Sequence, residues 1–414
     1  MRIWFLTQFY TPEIGAAAVR LSRLANALAA DAHQVTVLTS VPNYSAGVIP
    51  PEYRGRLAIR EKIGAVDIQR VWVYATPSRS NAARILNQLT FMFMAALAGI
   101  FLPRPDVIIV ESHPLFVCLT AGWLKRIKRA PLVLNVSDLW PESAVATGAL
   151  RAGSLIVRMA QLVERWAYQD ASVIVGMTEG VVEGINRVDH RPDRVKFIPN
   201  AVDLDRFRPG LEAERRSMRQ QWGLADPFTV LHVGNLSLTY DFDLILDVAA
   251  ALPQFAFVFV GGGSQGESVK ERVRRENLSN VILVDAMPHA VMPGVWAAAD
   301  ACIIALRDHS VAGGTRPAKL YEALATGTPV VAAIRGEGQA LVEASGAGMV
   351  VPIGDRAAAI SSLVCYAENP ELRRKASRKG RAYAEQYFSP ERARLAWTAV
   401  LEQARRRPSS AESR

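Results

Sequence analysis

Residues 228–263 read FTVLHVGNLSLTYDFDLILDVAAALPQFAFVFVGGG. Two apolar runs, FTVLHVG (228–234) and FAFVFVG (255–261), each close on glycine, and a stretch with helical character separates them. A strand covered on both faces needs a continuous apolar run, and two parallel strands need a crossover helix between them. The stretch therefore predicts a β-α-β unit, and the same alternation extends in both directions. Upstream, strands are expected at 2–9, 34–40, 66–74, 107–112, 132–137, 172–177 and 195–199. Downstream they are expected at 281–286, 301–306, 329–333 and 349–352, again with helices between them.

A chain of 414 residues exceeds what one hydrophobic core usually supports, so two domains are expected. Residues 202–227 are polar and charge-rich, which puts the boundary before the strand at 228. We read 1–203 as an N-terminal Rossmann-like domain, 204–388 as a second one, and 389–414 as a helix returning to the first domain with a frayed tail. The fold class is α/β, with two doubly wound domains facing each other across a cleft.

Bulk properties narrow the function. Cys118, Cys302 and Cys365 lie far apart in apolar stretches, so neither a disulfide framework nor a CxxC metal site is expected, and a reducing cytoplasm fits. The start, MRIWFLTQFY, carries no expected signal peptide. A net charge of +9 suits anionic lipid, nucleic acid or a phosphorylated small molecule. The arginines are dispersed and no nucleic-acid-binding pattern is present, so nucleic acid is not an expected partner. ILNQLTFMFMAALAGIFLP (85–103) is the most apolar stretch, flanked by Arg79, Arg84 and Arg104. It reads as a buried helix, a membrane span, or a helix whose apolar face meets an anionic membrane surface.

In open α/β sheets ligands bind beyond the carboxyl ends of the strands. After the first strand, Gly15 precedes an alanine-rich helix start; after the strand at 107–112 stands His113; after that at 132–137 stand Asp138, Trp140 and Glu142. A glycine lets a ligand approach the backbone, a loop histidine suits proton or hydrogen-bond chemistry, and carboxylates beside an aromatic ring suit sugar hydroxyls. The plainer alternatives are close helix packing, an ordinary loop histidine, and an N-cap beside a packing Trp. In the second half, Gly261, Gly262 and Gly263 separate a strand from a helix without the spaced dinucleotide fingerprint. No zinc-ligand spacing and no GxxxxGK[ST] loop occur, so neither a metal nor a cofactor is expected.

Residues 313–332, GGTRPAKLYEALATGTPVVA, pose a separate problem: Arg316 and Lys319 open a helix. A helix N-terminus already carries about half a positive charge, so cations there call for a compensating anion. Free N–H groups and the preceding glycines make a diphosphate a good candidate, against the alternative of two cations pointing into water.

FYTPEIGAA, LHVGNLS, FVFVGGGS and above all RPAKLYEALATGTPVVA resemble the GT4 family of retaining glycosyltransferases with the GT-B fold, in particular its WbuB/WcaI-like branch of O-antigen and colanic acid synthesis. The resemblance runs from residue 1 to about 405. It implies that Glu322 bonds the ribose of the donor nucleotide, one turn beyond Lys319. It further implies that Gly234, Asn235, Gly261 and Gly263 lie near the nucleotide, with Met287 and Pro288 at the base. His113 would contact the donor sugar near the reaction centre, and Gly15 would sit in the first substrate loop. His113, Lys319 and Glu322 thus form the expected catalytic set.

Two departures stand out. The family's first glutamate would fall at Gly314, and the usual Arg and Lys pair after the strand at 228–234 is missing, which leaves Arg316 and Lys319 as the cations for the diphosphate. The implied activity is transfer of a sugar from a nucleoside diphosphate, UDP favoured over GDP, to a polyprenyl-diphosphate-linked saccharide. The implied place is the inner face of the cytoplasmic membrane, without a metal. The alternatives are a non-hydrolysing sugar-nucleotide epimerase and a non-catalytic scaffold for polysaccharide assembly.

Overall fold

A computed structural model describes every residue except 14, 44–46, 79, 309–311, 315 and 407–414. The chain divides into two units, Met1–Pro199 with the chain from Ala393 onward, and Asn200–Arg392.

The first unit is built on strands β1 (Arg2–Leu6), β2 (Gln34–Ser40), β3 (Ala58–Ile63), β4 (Val66–Val71), β5 (Val107–Glu111), β6 (Leu132–Val136), β7 (Val173–Gly176) and β8 (Val195–Phe197). They align in the order β3-β4-β2-β1-β5-β6-β7-β8. Helices α1 (Ala16–Ala30), α2 (Asn81–Phe101), α3 (Val117–Lys128), α4 (Glu142–Ala146), α5 (Leu155–Asp170) and α6 (Glu179–Asp189) connect them. Every pairing is parallel except that of β3 with β4. Sequence reading misses β3, because its segment AIREKI lies mostly exposed at the sheet edge and carries charge where a buried strand would be apolar. Gly64, at φ +60°, makes the tight turn into β4.

Alternation along β1 shows why both faces are covered. Ile3 and Phe5 face a core with Leu21 and Leu28 of α1, whereas Trp4 and Leu6 face one with Phe91 and Ala95 of α2 and Leu124 of α3. The last helix, α15 (Pro390–Arg406), joins the first of these cores: its Trp397, Val400, Leu401 and Ala404 are buried there.

The second unit contains β9 (Thr229–Val233), β10 (Ala256–Val260), β11 (Val281–Val284), β12 (Ala301–Ala305), β13 (Val330–Ala333) and β14 (Gly348–Val351), all parallel, in the order β11-β10-β9-β12-β13-β14. Its helices are α7 (Glu212–Gln221), α8 (Phe242–Ala251), α9 (Gly266–Arg275), α10 (Met292–Ala297), α11 (Ala318–Thr326), α12 (Glu337–Ser345), α13 (Arg356–Glu368) and α14 (Pro370–Tyr387), ahead of α15 (Pro390–Arg406). Strand order reverses at β9, whose neighbours β10 and β12 connect in opposite directions, and the carboxyl end of such a strand is where a ligand crevice forms.

Pro317 is the N-cap of α11, so Lys319 lies in its first turn while Arg316 stands just ahead of the helix rather than opening it. Gly327 ends it in the left-handed region at φ +67°, its N–H capping Ala323 and Leu324. Leu320, Ala323 and Leu324 are fully buried, which fixes the helix against the sheet and sets the direction of Lys319 and Glu322.

Candidate functional site

The loops after β9 and β10 interlock, and the glycines permit it. Gly234 and Gly261 have φ of +115° and +146°, and a Cβ on Gly261 would lie 2.0 Å from the Gly234 carbonyl oxygen. A Cβ on Gly263 would lie 2.3 Å from Asn235 Oδ1. A Cβ on Gly262 would meet nothing within 4 Å. Gly261 and Gly263 are thus demanded first by the mutual packing of two loops. What the packing exposes is a glycine backbone edge over the first turn of α11.

Lys319 lies under that edge. The residue is only 7% exposed, and a Cβ on Gly234 would stand 3.8 Å from its Nζ. Nζ is 2.9 Å from His232 Nε2 and 3.8 Å from the centre of the Tyr240 ring. Among the described residues no carboxylate lies within ion-pair distance of it, so a buried ammonium has a neutral acceptor and an aromatic face but no counter-ion. Burial pulls its pKa down to about 7, with Cys302 and Glu322 pulling the other way.

Arg316 corrects the sequence expectation of two free cations. Its Nε is 2.9 Å from Glu337 Oε2 of α12, both side chains being 12% exposed. The charge is thereby offset within the unit, and Lys319 alone is left to face an anion. Glu322 is held from two sides. Trp296 Nε1 donates to its Oε2 at 2.8 Å, and His289 Nε2 is 3.5 Å from its Oε1. Its side chain is 22% exposed, so the carboxylate is both fixed and reachable. Met287 is half-buried against the core, and Pro288 is the exposed N-cap of the short turn that carries His289. A separate concavity of about 320 Å³, lined by Arg208, Arg215, Thr326 and Arg373, lies at the other end of α11 and does not include Lys319.

In the first unit, Gly15 is the extended N-cap of α1, and His113 is exposed just past β5. Asp138 accepts from Ser143 Oγ at 2.7 Å; Trp140 packs edge-on to Phe116 at 6.3 Å; Glu142 meets Arg187 at 3.7 Å. Asp138 and His113 thus present polar groups at the strand ends, while Trp140 belongs largely to the packing. Behind them is a buried cluster invisible in the sequence. Glu111 accepts from Arg20 at 2.8 Å, Asn135 at 2.6 Å and Ser137 at 2.7 Å, tying α1 to the ends of β5 and β6.

The Glycosyl transferase 4-like domain family matches residues 15–201, and the Glycosyl transferases group 1 family matches residues 227–369. The chain thus carries two glycosyltransferase domains, one matching each family. It is similar to the WcaI glycosyl transferase assigned to colanic acid biosynthesis in Escherichia coli K12, at 22% identity over 330 residues, 77% of this chain and 79% of that protein. Among solved structures it resembles Anabaena HepE in complex with UDP-glucose, at a TM-score of 0.73 and 18% identity, covering 97% of this chain and 99% of that one. WaaG, a glycosyltransferase involved in lipopolysaccharide biosynthesis, aligns at a TM-score of 0.70 and 18% identity over 95% of this chain and 99% of its own. The architecture is the GT-B fold.

Within this glycosyltransferase, sequence reasoning missed His232, Tyr240, His289, Trp296 and Glu337 as partners of the site residues. His232 had a signal, a histidine inside the apolar strand FTVLHVG. Glu337 had none, since its link to Arg316 runs from the first turn of α12 back to the loop ahead of α11.

Proposed function

We propose that this glycosyltransferase moves a sugar from a nucleoside diphosphate sugar, UDP favoured over GDP, to a lipid-linked saccharide, with retention at the anomeric carbon. The observation that carries the proposal is Lys319, buried at the first turn of a helix with no carboxylate within ion-pair distance among the described residues. Burying such a charge is costly unless a ligand completes it, and a pyrophosphate would do so while also meeting the helix N–H groups. Glu322, one turn along, would take the ribose hydroxyls, and Met287 and Pro288 would border the base. As the bond from the anomeric carbon to the diphosphate breaks, its electron pair leaves on the diphosphate oxygen. Lys319 and the helix terminus stabilise that charge in place, so no divalent metal is required. His113 would contact the donor sugar, with Asp138 and Trp140 towards the acceptor. Asp138 and Glu142 are engaged by Ser143 and Arg187, which argues against an epimerase that needs paired bases at one carbon.

The proposed place of work is the inner membrane face. Among the described residues α2 is the helix long and apolar enough to span a bilayer, yet it packs Phe91 and Ala95 into the first unit and turns Phe93 and Phe101 outward, 70% and 73% exposed. Leu155 and Leu162 of α5 are 73% and 66% exposed, and Trp123 of α3 is also exposed. The exposed charges on these three helices are positive, Arg84, Arg126, Arg158 and Arg165, with Arg126 paired to Asp170. Apolar side chains ringed by arginine suit a peripheral seat on anionic lipid.

Calorimetric titration of UDP-glucose and GDP-mannose into the wild type and Lys319→Ala tests the donor site. The variant should lose about 10- to 100-fold in affinity, the value of a charge-assisted hydrogen bond. Equal affinities would reject the site.

A further inference from the structure

His232 is an odd residue to find in the middle of a buried strand. It is 1% exposed on β9, packed among Tyr240, Phe242 and Phe259 with ring centres 5.2 to 5.8 Å away. The ladder between β9 and β12 pairs Val230 with Ala301 and Leu231 with Cys302. One position further, His232 Nδ1 lies 3.2 Å from the Ile303 carbonyl oxygen. A carbonyl can only accept, so Nδ1 carries the hydrogen and the neutral ring presents a lone pair at Nε2. That lone pair faces Lys319 Nζ at 2.9 Å.

We propose that His232 is a positioning residue for the donor site, a fixed acceptor that holds the Lys319 ammonium in place before the pyrophosphate arrives. This rests on the donor reading of Lys319. The backbone of β12 fixes the tautomer, the tautomer fixes the acceptor, and the acceptor aims the cation. Other groups facing Lys319 are Tyr240 beside β9, Cys302 on β12 and Glu322 on α11. The first two are neutral at physiological pH, burial having pushed both their pKa values up. Burial, then Lys319, keeps His232 itself from protonating, so one proton resides on the lysine. A lysine so held is half-titrated near neutrality and takes up a proton fully when an anion binds.

The test is the pH dependence of nucleotide-sugar affinity between pH 6 and 9. UDP-glucose and GDP-mannose serve as probes, because their diphosphates lack the terminal ionisation near pH 6 of a phosphomonoester. Wild-type affinity should fall as pH rises past the titration of Lys319. His232→Phe keeps an aromatic ring in an aromatic cluster and removes the acceptor. It should bind about tenfold more weakly at pH 7, with the midpoint about one pH unit lower, one charge-assisted hydrogen bond being worth about that much. His232→Gln, whose amide oxygen can accept, should recover part of both. In a Lys319→Met background His232→Phe should change nothing further. An unchanged midpoint and affinity in His232→Phe, or an equal loss with and without Lys319, would leave His232 a packing residue and overturn the proposal while the donor site stands. If the wild type binds neither probe, the donor site itself falls.

Discussion

Lys319 couples the site to the stability of the unit that holds it. Its pKa is about 7 when folded, against an ordinary 10.5. Between those values the unfolded chain binds a proton that the folded chain does not, so stability rises with pH across that window. Below pH 7 the cost of burying the ammonium is present in full. Lys319→Met should therefore stabilise the second unit at pH 6 by a few kcal/mol, with the gain shrinking towards pH 10, as read by differential scanning calorimetry. A constant difference across that range would mean the lysine is already compensated in the empty protein. At this scale the sequence showed the cation and not its setting. Lys319 and Glu322 sit three residues apart on one helix and could be read together. The Arg316 pair with Glu337, the Trp296 bond to Glu322 and the His232 contact to Lys319 join residues 21 to 87 positions apart, which only the packing of β9, α10, α11 and α12 brings together.

Elements were legible wherever punctuation and pattern agreed. The apolar runs at 228–234 and 255–261 became the buried parallel strands β9 and β10, with α8 between them as the crossover helix. Edge strand β3 was lost because Arg60 and Lys62 on one side of the pleat face water while Glu61 on the other pairs with buried Arg70, so no apolar run marks it. Helix α2 was ambiguous for a physical reason: Phe91 and Ala95 are core while Phe93, Leu97 and Phe101 are exposed, and hydropathy alone does not separate a helix apolar on all sides from one in the core. If the α2, α3 and α5 surface meets lipid, Phe93→Glu with Phe101→Glu should cut co-sedimentation with vesicles containing anionic phosphatidylglycerol several-fold. The same pair should leave the melting temperature nearly unchanged, because both side chains already face solvent. Vesicle binding equal to wild type would remove this surface from the membrane account.

At the scale of the whole molecule, two sets of alternating strands were enough to give two doubly wound units and, with the RPAKLYEALATGTPVVA segment, the glycosyltransferase family. Sugar, base and acceptor depend on contacts that the scaffold leaves free to vary, and a fold shared with HepE and WaaG does not set them. The element on which the donor proposal rests is the first turn of α11, beside a switch point in the parallel sheet. A crystal structure of the protein with bound UDP-glucose or GDP-mannose examines that place most directly. The pyrophosphate should lie at the first turn of α11 within hydrogen-bond distance of Lys319 Nζ, with the ribose beside Glu322. A nucleotide lodged elsewhere, with Lys319 still resting only on His232 and Tyr240, would contradict the account.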